Sequence, residues 1–207
     1  RAGLNPDAVN IFIVNDPAIN AFVAGGDNIF VHTGLLLNTR NADMLVGVLA
    51  HETGHIAGGH LILVKRAMGE ASIGMLIATV LGAAAAVGGG GEAAMGATSA
   101  GQQGARRSLL SYTRGQEAAA DEAALRYLDA NGMSAQGMLE MFEVLRQKET
   151  RQFGTPDPYA RTHPLTQDRI TRIRSHVMQS DIPKGRTQEG FEERHARMVA
   201  KLRGFME

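Results

Sequence analysis

The 207-residue chain contains no cysteine, and this closes off two kinds of architecture at once. Neither a disulfide scaffold nor a thiolate-bound metal site is open to it. The same absence does not choose a compartment, because cytosolic and exported proteins alike can lack cysteine. Net charge is missing too. Lys+Arg and Asp+Glu balance at 21 each, so there is no electrostatic footprint for nucleic acid. No internal repeat is visible. Hydrophobic residues at 44% and charged residues at 20% describe an ordinary globular protein, of a length that suits one domain with a short appendage.

Long uncharged runs are scarce, with one exception. Ala71–Gly91 carries no charge and is bounded by Glu70 and Glu92. Its length could span a bilayer, yet it is mostly Ala and Gly, and Gly88–Gly91 would break a helix. A buried or mobile helix over an active site is the plainer expectation. A surface touching membrane or a membrane protein is the sharper one. The chain begins Arg1-Ala2-Gly3 without an initiator Met, which is compatible with removal of a leader.

Ahead of that run, Val9–Val14, Asn20–Ala24 and Ile29–His32 read as three short strands, joined by Asp16-Pro17 and Gly25-Gly26-Asp27. Such close spacing suggests an antiparallel meander. A helical pattern then runs from Asn41 to Met68, with Met44, Val48, His51 and His55 on one stripe. Further helical stretches cover Gln102–Leu128, Ser134–Lys148, a segment opened by His163-Pro164 and ending at Val177, and Phe191–Phe205. Strands early and helices afterwards make the class α+β, mainly helical.

His51-Glu52-Thr53-Gly54-His55 is an HExxH sequence. Four residues turn a helix through about 400°, so both imidazoles leave one face and can bind one metal ion. Zinc favours such nitrogen ligands, and Glu52 next to them is placed to take a proton from water. Chance alone gives an expectation of roughly 0.01 for this pattern in such a composition. Three ionisable groups on an inward stripe would also be costly without a metal or partners.

A third histidine ten residues after the first would mark the metzincin pattern, but that position is Leu61. His60 misses by one and points about 180° from His51 round a helix. With no cysteine to substitute, the third ligand is expected to be a carboxylate on a second helix. Glu117 is the best candidate, in Arg114-Gly115-Gln116-Glu117-Ala118-Ala119-Ala120-Asp121. Asp121 shares its face at i,i+4, and the three alanines between them permit close packing. Asp121 can then accept the second N–H of a ligand histidine, while Glu122 reads as a solvated acid. His32, His60, His176 and His195 carry no such signal, and Phe22 and Phe30 read as core.

HExxH followed at long range by ExxxD resembles the HtpX, CAAX prenyl protease and BepA group of zinc metallopeptidases. Asn20-Ala21-Phe22, Ile29-Phe30-Val31, Thr33-Gly34-Leu35-Leu36 and Thr162-His163-Pro164-Leu165 with Arg169 extend the likeness over Asn5–Val177. It is most similar to the soluble periplasmic BepA-like branch. The resemblance implies a zincin-type, gluzincin-like domain binding one Zn2+ per chain through His51, His55 and Glu117. Glu52 would be general base and Asp121 a supporting acid. His163 and Arg169 would assist the transition state or regulate access to zinc. It further implies a periplasmic setting, peripheral to the outer membrane, with misfolded or stalled outer-membrane proteins as polypeptide substrates. Residues 1–180 would form the peptidase domain, and the charged segment 181–207 would lead to a tetratricopeptide-repeat domain. The rival expectation is a latent or non-catalytic zinc-containing chaperone or adaptor.

Overall fold

A computed structural model describes residues 2–63, 66, 69, 113–151, 159, 162–184 and 188–206. The expectations for 71–91 and for 102–112 lie outside the described residues. The chain forms two compact units, one of Arg1–Gly58 with Glu117–Glu207 and one of Gly59–Gln116. All the elements labelled below fall in the first, apart from the opening turn of α3.

Three strands, β1 (Asn10–Val14), β2 (Ala21–Ala24) and β3 (Asn28–His32), make one sheet in the order β1-β3-β2. Only β2 and β3 pair antiparallel, through the tight Gly25-Gly26 turn where φ is +61° and +97°. β1 instead lies parallel to β3, in the register Phe12↔Phe30, so the sheet is mixed and the expected meander does not form. The cause is at the Asp16-Pro17 turn. Asp16 exchanges hydrogen bonds with the Thr33 hydroxyl (3.1 and 3.0 Å), and its carbonyl also accepts the Gly34 N–H (2.9 Å). Pinned there, the chain passes the end of β3 and β2 returns on the far side. Ile29, Val31 and Ala21 are buried on the inner face, while Phe12, Phe30 and Phe22 stack in a row on the outer one at 5.2 Å spacings.

Among the described residues, the α-helices of the first unit are α1 (Thr33–Asn38), α2 (Ala42–Ala57), α3 (113–130, entering from the second unit), α4 (Gln136–Arg151), α5 (Gln167–Gln179) and α6 (Phe191–Met206). Asn41 caps α2 by accepting the Met44 N–H at 2.9 Å. The helix ends at Ala57, where Gly58 closes the last turn and Gly59 takes φ +60°, and the described residues 60–63, 66 and 69 are helical again, so the expected run to Met68 is interrupted at the two glycines. Two glycines let α2 approach its neighbours. A Cβ on Gly54 would stand 2.7 Å from the Ala120 carbonyl of α3, and one on Gly47 would stand 2.7 Å from Met138 Cα of α4. The inner stripe Met44, Val48 and His51 therefore runs into the protein, with His51 fully buried.

α5 starts at Gln167, capped by the Thr166 side chain, and not at Pro164 as expected. His163 sits instead at the end of the preceding turn, where its N–H donates to the Tyr159 carbonyl at 2.7 Å. α6 packs back on α1 and α2. Its Glu192 accepts the Ala42 N–H (3.1 Å) and its His195 Nε2 lies 2.8 Å from the Thr39 hydroxyl. No helix among the described residues is long and apolar enough to cross a membrane.

Candidate active site

Four ligand-type side chains meet where α2, α3 and the residues just ahead of α5 converge. His51 and His55 come from α2, Glu117 from α3 and His163 from ahead of α5, and their ligand atoms all lie within 4.8 Å of one another. His51 Nε2 is 3.0 Å from His55 Nε2, 3.4 Å from His163 Nδ1 and 3.3 Å from Glu117 Oε2. Glu117 Oε1 is 3.2 Å from both His55 Nε2 and His163 Nδ1. Four ligands at 2.0–2.1 Å from a tetrahedral zinc stand about 3.3–3.4 Å apart. With either Glu117 oxygen taken as the fourth vertex, four of the six edges of that tetrahedron are at 3.0–3.4 Å between protein atoms alone. The donor set of three imidazole nitrogens and a carboxylate suits zinc or another borderline divalent ion.

A layer of charge backs this cluster. His51 Nδ1 lies 2.9 Å from Asp121 Oδ1, off the line of a straight hydrogen bond but well within ion-pair range. That contact leaves Nε2 to face the cluster. Arg169 grips Asp121 with Nε (2.6 Å) and Nη2 (2.8 Å), and its Nη1 reaches Glu117 Oε2 (2.9 Å) and the Pro164 carbonyl (3.0 Å). All four side chains in this layer are almost wholly buried. With protein groups alone, burial opposes charging of His51, but Asp121 and Glu117 outweigh it and hold its pKa up at about 9. Burial and the neighbouring His51 push His55 down, against Glu117. Burial would raise Glu117 and Asp121. The three histidines hold Glu117 far below the usual carboxylate range, and Arg169 with His51 does the same for Asp121. Both acids are carboxylates at every working pH.

Glu52 is fully buried, and neither of its carboxylate oxygens has a hydrogen-bond partner. Its Oε1 is 3.5 Å from His163 Nε2. A buried carboxylate with no donors is costly, and such a group facing a ligand cluster fits a proton acceptor beside a cation. His163 Nε2 donates to the Ala21 carbonyl of β2 at 3.2 Å, so Nδ1 is the ring nitrogen that faces the cluster.

The structure therefore brings His51, Glu52, His55, Glu117, Asp121, His163 and Arg169 into one site. Glu122 is left outside, half exposed beside Arg126 at 3.9 Å. His32 pairs with Asp16, His176 with Asp129 and His195 with Thr39, all away from the cluster. His60 belongs to the other unit. Two residues were given no role by the sequence. Ala21, within the Asn20-Ala21-Phe22 segment, contributes a backbone carbonyl. Tyr159 is wholly buried, its ring 4.8 Å from that of His163. Burial, and next the charge of Glu52, raises the Tyr159 hydroxyl well above its ordinary pKa, so it stays a neutral phenol. Tyr159 stands four residues before His163, and that spacing was the available signal.

A protein of Vibrio cholerae serotype O1 is 33% identical over 199 residues, which are 93% of this chain and 40% of the relative. The beta-barrel assembly-enhancing protease of Yersinia pestis is 31% identical over 177 residues, 82% of this chain and 35% of the relative. Metalloprotease LoiP of Escherichia coli (strain K12) is 29% identical over 180 residues, 86% of this chain and 67% of the relative. The chain spans two-fifths or less of the length of the first two. Residues 1–177 match the profile of peptidase family M48, and the divalent-metal cluster falls within them. The chain belongs to peptidase family M48.

Proposed function

We propose that this chain is the catalytic domain of a zinc metalloendopeptidase, held at rest by its own His163. The observation that carries the reading is the cluster itself, three histidine nitrogens and a carboxylate within 4.8 Å of one another with the orphaned carboxylate of Glu52 alongside. A zinc ion bound by His51, His55 and Glu117 would supply Lewis acidity toward a scissile carbonyl and toward water. Glu52 takes a proton from the attacking water and returns it to the leaving amine. Asp121 fixes the ring of His51, and Arg169 holds Asp121 and Glu117 in place, acting as a positioning residue.

His163 Nδ1 stands where a fourth ligand belongs, 3.2–3.4 Å from His51 and Glu117. A catalytic zinc needs that position open. The arrangement therefore supports a latent enzyme over a permanently structural site, because the base Glu52 is kept buried and uncommitted. The relatives named for beta-barrel assembly support polypeptide substrates in the bacterial periplasm, misfolded or stalled outer-membrane proteins among them. Residues 1–180 would be the peptidase domain, with 181–207 leading on to a repeat domain that captures partners.

Casein digestion tests the proposal. The zinc-loaded chain and its His163→Ala variant should cleave, a chelator should stop both, and Glu52→Gln should be inactive. Cleavage that survives the chelator, or a fully active Glu52→Gln, would sink it.

A further inference from the structure

α6 lies beyond residue 177, where the family profile stops matching, yet it is fastened to the start of the helix that carries His51 and His55. Its Met198 and Leu202 pack on the core cluster that holds Leu35 and Leu36 of α1. Glu192 accepts the N–H of Ala42, the first residue of α2, at 3.1 Å. That N–H is one of the four a helix start leaves without an internal partner. One turn further along α6, His195 is buried against Thr39. The Thr39 hydroxyl donates to the Leu36 carbonyl at 2.8 Å, so it accepts from His195 Nε2–H at the same distance. Next to Ala42 stands Asp43, only 6% exposed, and α4 closes on it so tightly that a Cβ on Gly137 would collide with its backbone. Among the described residues the charged groups facing the Asp43 carboxylate are Glu192 of α6 and Glu140 of α4, both acids. Glu140 is held there by the amides of Asn41 and Gln136, which donate to its two oxygens at 3.0 Å.

We propose that Asp43, faced by Glu140 and Glu192, is a proton-operated clasp for α6: protonated, it lets α6 seat on the head of α2, and ionised, it loosens that seat. The N-terminus of α2 favours an anion at Asp43, but burial and the two acids oppose one. The balance lifts the Asp43 carboxyl above its ordinary pKa, burial contributing most, then Glu192, then Glu140. Lifting α6 away removes Glu192 and admits water, which returns Asp43 toward its ordinary acidity. Docking of α6 is therefore fully favoured below that ordinary value and is lost as pH rises through the lifted one. Release would bare Met198 and Leu202 together with the part of the core they cover. The metal ligands take no part, since Asp43 stands eight residues ahead of His51.

Amide hydrogen exchange tests the clasp in the full zinc-loaded chain carrying Glu52→Gln, so that nothing is cleaved, with each rate corrected for the intrinsic pH dependence of exchange. From about pH 4.5 to about pH 8, protection of α6 should fall roughly three- to tenfold, the factor that follows from a proton held half to one pH unit more tightly. Protection of α4 should hold over the same range. Asp43→Asn should make α6 protection independent of pH. It keeps every metal ligand, so any loss of zinc at the acid end would show equally in both proteins. Glu192→Gln still offers an oxygen to the Ala42 N–H, and should flatten the dependence in part. Glu193→Gln, on the exposed side of α6 beside Arg197, should leave it as in the parent. A second reading needs no variant to fold. The carboxyl-carbon resonance of Asp43 in the parent should titrate above the ordinary aspartate range. An Asp43 that titrates at its ordinary value, α6 protection that is flat with pH, or a fall as steep in Asp43→Asn as in the parent overturns the clasp. A fall shared equally by α4 also overturns it, because the whole fold would then be loosening.

Discussion

Replacing Arg169 by alanine removes a guanidinium that makes four polar contacts in a place buried from solvent. Two go to Asp121 at 2.6 and 2.8 Å, one to Glu117 at 2.9 Å and one to the Pro164 carbonyl at 3.0 Å, and the side chain is 5% exposed. The variant leaves two buried carboxylates facing each other across the space it vacates. Breaking a buried pair from one side costs about 3–5 kcal/mol, most of it the penalty of the uncompensated charge. At about 2–4 °C per kcal/mol for a chain of this size, the melting temperature should fall by roughly 6–20 °C. Arg174 supplies the control. It pairs with Glu143 at 2.8 Å, but the two side chains are 42% and 38% exposed, so Arg174→Ala should cost about 0–1 kcal/mol. Arg169→Lys keeps the charge and loses the fork, and should fall between them. The assay is thermal unfolding of the chelated proteins followed by far-ultraviolet circular dichroism, which keeps metal binding out of the comparison. If Arg169→Ala melts no lower than Arg174→Ala, Arg169 does not hold the acids and the positioning role is wrong.

The remaining predictions separate the site's other members. Glu117→Ala should lose zinc on dialysis while Glu122→Ala keeps it, because the two acids lie about 140° apart on the helix; equal loss in metal analysis would break the assignment. Glu52→Gln should retain one zinc per chain and lose cleavage by ~10²–10⁴-fold, and a variant as fast as the parent would remove Glu52 as base. His163→Ala should raise basal casein cleavage. A fall of ~10²–10³-fold would make His163 an oxyanion donor, and no change would reduce it to the end of a helical turn.

Much of the site was legible because it is written in helix spacing. His51, Glu52 and His55 are local to one turn of α2, and Glu117 with Asp121 to one turn of α3, so periodicity alone groups each set. The alanines between the two acids announced the close contact, and Gly54 against Ala120 realises it. What could not be read is tertiary. Arg169 had two roles open to it in the sequence, and only the fold turns its fork onto Asp121. The order of the strands depended on Asp16 meeting Thr33, seventeen residues away, which no turn rule contains. Pro164 suggested a helix start, but the Thr166 side chain competes for that role three residues before Arg169 and wins. The contribution of Ala21 is a backbone carbonyl, and a backbone atom leaves no mark on sequence.

X-ray absorption at the zinc edge of the resting, zinc-loaded chain tests the central claim most directly. The account predicts one zinc per chain with four nitrogen or oxygen neighbours at about 2.0–2.1 Å, three of them imidazoles. His163→Ala should lower the imidazole count to two. A six-coordinate oxygen shell, or an imidazole count that His163→Ala leaves unchanged, would contradict it.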